Sequence, residues 1–400
     1  MIENRDIVVV GLQPWDIEIG SNCKNIALEF SKKNRVLYVN YPLDRLTAIK
    51  SKNDPKVQKR LNIIKGKEKN LVEIKQNLWN LYPSCIIESI SRLKINFLFD
   101  FINKRNNKKF AKEIQKAIDK LGFKDYIIFN DSDMFRSFYL KELLNPKTYV
   151  YYTRDNLISM PFWKVQGERI EPLHMKKADL VVANSTYLAK LAKKHNPKSF
   201  YVGQGCDVSA FNPEKEYKKP ADMLNIKTPV IGYIGALLTV RLDLDILIHI
   251  AKSKPEWSLV LVGPEDDNFK NSELHNLKNV YFLGNKKGEE LPAYLNYFDV
   301  AINPQVLNPL TIGNYPRKID EYLAMGKPVV ATKTEAMSVF AEHTYLAETK
   351  DDYINLISKA LSENTPEKAK KRIDFAKQHT WENNVNEIYQ RIYEFEHHKH

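Results

Sequence analysis

Cysteine is scarce. Only Cys23, Cys85 and Cys206 occur in 400 residues, far apart and in no metal-ligand spacing. That argues against a disulfide scaffold and fits a reducing compartment. Long apolar runs are missing too: nothing approaches the ~18 apolar residues a membrane-spanning helix needs. The first apolar stretch, IVVVGL after MIENRD, has strand length rather than signal-peptide length. There is no GxGxxG, so a dinucleotide-dependent oxidoreductase loses its main support. His174, His249 and His343 have no spacing that implies a metal or a triad, and no Ser/His/Asp or Cys/His arrangement offers a strong nucleophile. No stretch resembles a dense nucleic-acid-reading helix.

What is present is length, apolar content and positive charge. Four hundred residues at 43% hydrophobic suffice for two cores, and 61 Lys+Arg against 49 Asp+Glu leave a net charge of +12. That sign suits phosphorylated substrates and anionic membrane surfaces. The lysines are dispersed, and the mild clusters at 50–69 and 104–109 read as solvated faces. Apolar strand-length runs recur every 20–30 residues, mostly with amphipathic segments between them, which is the parallel α/β signature. In the first half these runs are IVVV, RVLYVN, NLWNLYPS, YIIFN, TYVYY, DLVVAN and SFYV. In the second half they are VIGYIG, WSLVLVG, VYFLG, DVAIN and PVVAT. The expected organisation is a Rossmann-like domain over 1–212, a linker over 212–228, a second such domain over 228–378, and a C-terminal helix over 379–400 packing back on the first domain. The helix stripe is Trp381, Val385, Ile388, Ile392 and Phe395. INFLFDFI reads as a packed helix, with contact at a membrane interface as the other reading.

The most informative stretch runs from Asn303 to Thr332, a Pro/Gly/Asn-rich loop feeding the amphipathic run KIDEYLAMG and then the strand VVAT. A loop entering a helix N-terminus is where α/β proteins grip phosphate; an ordinary loop–helix–strand turn is the competing reading. Strand tips collect ligands in open parallel sheets. Gly11 with Gln13, Trp15 and Asp16, the tip NDSD with Asp131 and Asp133, and the tip TRDN with Arg154 and Asp155 are therefore candidates by position. Asp131 and Asp133 read better as turn-capping side chains.

A series of blocks in this chain resembles the GT-B glycosyltransferases of family 4. They are Arg169-x-E-x6-ADLVVANS, V-x-x-G-x-D-x-x-x-F from Val202 to Phe211, IGYIGALL, WSLVLVGP, NVYFLG, ELPAYLNYFDVAINP, P-x-K-x-x-EYLAMGKPVVAT and HTWE, in the family's order over nearly the whole chain. QPWD, GSN, KNIALEF and RVLYVNYPLD look like a bacterial branch associated with cell-surface polysaccharide assembly. The resemblance implies a GT-B fold, two Rossmann-like parallel-sheet domains facing each other across a cleft. It implies a retaining transfer of sugar from a nucleoside diphosphate sugar (UDP or GDP) to a glycan or lipid-linked acceptor, with no metal. It further implies a cytoplasmic location, peripheral at the inner face of an anionic membrane, and no nucleic-acid partner.

Within that resemblance Glu321 matches the second glutamate of the family's EX7E motif, while Gly313 stands where the first would fall. Ala236 stands at the family's clamp arginine and Arg241 at its clamp lysine, with Lys318 able to supply the missing charge. Arg241 and Lys318 are expected to hold the donor diphosphate and Glu321 the ribose hydroxyls. Thr311, Ile312, Gly313 and Asn314 form the loop around phosphate and sugar, and Gly235 and Gly263 shape the tips beside it. Asp16 and Asp155 are the acidic candidates on the acceptor side, and Trp15 is a candidate stacking surface. The rival classes are a degenerate GT-B binding protein, favoured by Gly313 and Ala236, and a GT-B nucleotide-sugar epimerase.

Overall fold

The computed structural model describes residues 2–17 and 20–397. The chain folds as two compact units, Met1–Gly205 with Trp381–His400, and Cys206–Thr380. The strands of the first unit are β1 Asp6–Gly11, β2 Arg35–Val39, β3 Leu43–Asp44, β4 Leu71–Lys75 and β5 Leu78–Leu81, followed by β6 Ile86–Ile87, β7 Ile127–Asp131, β8 Thr148–Thr153, β9 Leu180–Ala183 and β10 Ser199–Tyr201. Those of the second are β11 Val230–Ile234, β12 Ser258–Val262, β13 Val280–Gly284, β14 Val300–Asn303, β15 Val329–Thr332 and β16 Tyr345–Ala347.

The first sheet runs β10-β9-β8-β7-β1-β2-β5-β4, parallel except for β4 at the edge. The second runs β13-β12-β11-β14-β15-β16, all parallel. β1 and β7 are buried along their whole lengths, as are β11 and β12. Such strands carry helices on both faces and read as unbroken apolar runs. Each sheet accordingly separates two apolar clusters, Val9 and Val8 pointing to opposite ones in the first unit, Val260 and Leu259 in the second. Among the described residues no helix is long and apolar enough to cross a membrane.

The last helix, Trp381–His397, belongs to the first unit. Val385, Ile388, Tyr389, Ile392 and Phe395 are buried beside Ile26, Phe30 and Val182. Tyr389 stacks on Phe30 at 5.4 Å, Asn34 Nδ2 donates to its hydroxyl at 2.8 Å, and Arg5 pairs with Glu396 at 2.9 Å. The first unit's boundary falls at Gly205 rather than at residue 212. Residues 212–228 are not a linker: Met223 and Ile226 enter the second unit's core with Phe211. Weak periodicity concealed this because the segment buries single side chains from turns rather than from one helical face.

Candidate functional site

In the second unit the strand order reverses between β11 and β14, and ligands in open α/β sheets gather outside such a switch point. Two loops leave the carboxyl ends there and are stitched together. Val306 N donates to Arg241 O, Asp243 N to Pro304 O, and Asn308 Nδ2 to Val240 O, each at 2.9 Å. Gly235 and Gly263 follow β11 and β12 with φ of +145° and +151°. A Cβ at Gly263 would lie 2.0 Å from the Gly235 carbonyl oxygen, so the two strand tips approach as closely as they do only because Gly263 lacks a side chain.

Lys318 opens the helix Lys318–Ala324. Its ammonium donates to the Tyr233 hydroxyl, lies 4.2 Å from that ring's centroid, and would meet a Cβ at Gly235 at 2.8 Å. Arg241 is exposed, with no side-chain partner among the described residues. Arg317, just before the helix, is exposed as well. Glu321 is half-buried; burial raises its carboxyl, and the charges of Arg317 and Lys318 pull it back down. Asn314 is buried, and its Oδ1 takes no hydrogen bond from the described residues.

Thr311 has a different task. Its hydroxyl donates to Val306 O, its amide to Asn308 Oδ1 at 3.0 Å, and its carbonyl accepts from Gln305 Nε2 at 2.8 Å, so it braces the loop from inside. Ile312 is half-buried and Gly313 buried beside it.

Sequence reasoning missed Tyr233, Arg317 and the carboxylate next to Glu321. Asp320 is fully buried; His379 Nδ1 donates to it at 2.5 Å and Cys206 Sγ at 3.1 Å. His379 Nδ1 also lies 3.1 Å from the Tyr315 hydroxyl, and Cys206 N donates to His379 O at 2.8 Å. The turn bearing Lys318 and Glu321 is therefore anchored through Asp320 by a connected polar network, the arrangement that rigidifies when its members are paired. The only sequence signal was an acidic residue at an amphipathic helix's apolar side.

In the first unit the switch point lies between β1 and β7, where Gly11 stands opposite Asp131. Asp131, fully buried, accepts from Arg154 Nε at 2.8 Å, and Arg154 also pairs with Asp155 at 2.9 Å. Asp133 accepts from the Arg136 amide at 3.1 Å and pairs with its guanidinium at 3.0 Å. Asp16 faces Arg60 at 3.5 Å. Asp16 and Asp155 thus sit in separate ion pairs. Gln13 accepts from Ser21 Oγ through its side chain and from the Tyr38 hydroxyl through its carbonyl at 2.6 Å. Trp15 packs edge-on to Tyr38 at 5.1 Å under Lys24 at 4.8 Å. His174 is buried against Tyr149 at 2.9 Å, away from solvent. Among the described residues no three His, Cys, Asp or Glu side chains are grouped to hold a metal.

Residues 228–363 match the family model described as glycosyl transferases group 1. A 240-residue stretch, 57% of this chain, is 29% identical to a proposed teichuronic acid biosynthesis glycosyltransferase, TuaH, of Bacillus subtilis (strain 168), and spans 60% of that relative's length. Sucrose-phosphate synthase from Thermosynechococcus elongatus superposes with a TM-score of 0.60 at 16% identity, covering 98% of this chain and 99% of the other. HepE of Anabaena, solved in complex with UDP, gives 0.61 at 14% identity over 97% and 99%. The chain is a GT-B fold protein, two Rossmann-like domains and a helical tail, and it resembles the group 1 glycosyl transferases.

Proposed function

We propose that the chain is a glycosyltransferase that takes a sugar from a nucleoside diphosphate donor, with retention at the anomeric carbon, and delivers it to a glycan or lipid-linked acceptor in surface polysaccharide synthesis. The observation that carries the reading is the set of uncommitted groups around the second unit's switch point. Lys318 is held on Tyr233, while the Arg241 side chain, the Glu321 carboxylate and Asn314 Oδ1 make no hydrogen bond or ion pair among the described residues, Glu321 only lying in the field of Arg317 and Lys318. Two cations suit a diphosphate, since a guanidinium can bind two phosphate oxygens at once. A carboxylate offers acceptors to the ribose hydroxyls. HepE, solved with UDP and with UDP-glucose, and TuaH, through its name, support the donor class and the polysaccharide setting.

In this reading the bond between the anomeric carbon and the diphosphate oxygen breaks as the acceptor oxygen bonds to the same face of that carbon. The acceptor's proton goes to an oxygen of the departing diphosphate. Arg241 and Lys318 offset the charge that builds on the leaving group. No metal is assigned a part. The protein works on the cytoplasmic side, held at an anionic membrane by its basic surface.

Titration of UDP and GDP tests the donor site. Wild type should bind one of them, and Arg241→Ala and Lys318→Ala should each weaken it by about tenfold or more, the loss of one charge-assisted contact. Unchanged affinity in both variants overturns the site. Gly313 and Ala236 favour a binding protein instead; nucleotide binding without sugar transfer to any acceptor would select it. Donor consumed with no acceptor present would point to an epimerase.

A further inference from the structure

The first unit contains a cavity of about 590 Å³ that none of the donor chemistry uses. Its position follows from the chain after β2. Tyr41 and Pro42 leave the sheet, β3 pairs with β6 as a small parallel ribbon, and the helices Arg45–Lys50 and Pro55–Ile64 close one side. The start of the helix Pro161–Lys177 brings Phe162 and Trp163 to the other. The walls are apolar and aromatic: Leu12, Leu43, Ile87, Ile90 and Trp163. At the rim Leu46 and Phe162 are 46% and 48% exposed.

The charges in this apolar setting are unbalanced. Four cations line the cavity, Lys50, Arg60, Arg92 and Arg136, against two carboxylates, Asp44 and Glu88. Both carboxylates are already engaged. Asp44 caps its helix, accepting from Thr47 N at 3.1 Å, Thr47 Oγ1 at 2.6 Å and Ser89 Oγ, while Glu88 takes both bonds of Arg45 at 2.7 and 2.9 Å. Arg60 and Arg136 lie over the ring of Tyr41, at 5.1 and 4.4 Å from its centroid. A cation–π contact uses a guanidinium's charge without itself occupying the N–H donors. Arg136 is paired with Asp133 at 3.0 Å. Arg60, 8% exposed, also lies 5.8 Å from the centroid of the Tyr82 ring; its one ion-pair approach among the described residues is to Asp16 at 3.5 Å, and its Nε is buried without a hydrogen-bond partner among them. An ion-pair distance of 3.5 Å is at the limit of a hydrogen bond, and a buried donor left unmade is costly. A cavity with apolar walls and an under-satisfied arginine calls for a ligand with an apolar body and an anionic group.

We infer that this cavity takes an anionic amphiphile, an acceptor whose phosphate-class group meets Arg60 and Arg136 while its apolar stem lies along Leu43, Ile87 and Trp163. That it is the acceptor rests on the transferase reading above. That it binds such a molecule rests on the cavity alone.

The test uses the full chain and three probes below their micelle-forming concentrations: dodecyl phosphate, inorganic phosphate and the uncharged dodecyl maltoside. Binding is followed by calorimetry and by tryptophan fluorescence, to which Trp163 in the wall contributes. Dodecyl phosphate should bind about tenfold or more tighter than either other probe, since each lacks one half of the recognition. Arg136→Gln and Arg60→Gln should each remove most of that advantage. Phe162→Ser, at an exposed position that folding tolerates, should weaken dodecyl phosphate and leave inorganic phosphate unchanged. Equal binding of the charged and uncharged amphiphiles overturns the inference. So does inorganic phosphate binding as tightly as dodecyl phosphate, which would make free phosphate the ligand, and so does indifference to all three substitutions. A wild-type protein that binds dodecyl phosphate but neither UDP nor GDP would sink the transferase reading and leave the cavity's chemistry standing.

Discussion

Glu171 and His174 show how far burial can move a titratable group with no site in view. Glu171 is buried on the helix Pro161–Lys177, and desolvation pushes its carboxyl from 4.5 up to about 7, against a hydrogen bond from the Tyr151 hydroxyl at 3.0 Å. His174, on the same helix, is carried from 6.5 down to about 3, first by burial and then by the Lys177 charge, against its bond to the Met134 carbonyl. The two act in opposite directions. Below pH 4.5 Glu171 is protonated in both folded and unfolded chains. As pH rises from 4.5 to about 7 the unfolded chain gives up that proton and the folded one keeps it, so stability falls, by on the order of 3 kcal/mol when the change is complete. His174 instead lowers stability as pH falls from 6.5 towards 3, because the unfolded chain binds a proton the folded one refuses. Glu171→Gln keeps an acceptor for Tyr151 and removes only the first slope. Its urea midpoint should exceed that of wild type by clearly more at pH 8 than at pH 5; an equal difference at both would show that Glu171 is not held neutral.

Two elements carry more than their length suggests. The helix Trp381–His397 is the last in the chain yet completes the first unit's core, against the helix Asn22–Phe30. Ile388 is fully buried there, so Ile388→Ala should cost about 2–5 kcal/mol in urea unfolding. Tyr389→Phe, which loses only the bond from Asn34, should cost about 1 kcal/mol. The apolar stripe of this helix was visible from residue spacing. The helix Asn96–Leu121 is the contrary case. Phe99 is fully buried, but Phe97 and Phe101 are 76% and 59% exposed, beside Lys94 and Arg105. An alternating run such as NFLFDF cannot be sorted into packed and solvent-facing residues until the neighbours of the helix are known. The exposed pair is the surface that the proposed membrane contact would use. Co-sedimentation with phosphatidylserine-containing vesicles should weaken about tenfold or more when both phenylalanines become serine. It should also decline as salt screens the basic surface. Full binding by the doubly substituted protein would remove this helix from the contact.

At the scale of the molecule, the alternation of apolar runs and amphipathic segments was enough to read two parallel-sheet domains, because strands buried on both faces leave an unbroken apolar signature. Glycines at strand ends and the loop–helix turn around Lys318 were also legible, since backbone conformation and helix starts are local matters. Tertiary structure decided the rest. Lys318 reaches Tyr233, 85 positions earlier, because β11 and the helix Lys318–Ala324 meet at one switch point. Arg60 and Arg136 share the ring of Tyr41, and Asp320 finds Cys206 and His379, from segments that spacing does not relate. Composition and periodicity determine the kinds of element and their order along the chain, and which strands are buried on both faces. Which charged side chains keep a partner and which are left for a ligand depends on distances through space, and those exist only once the strands have taken their order.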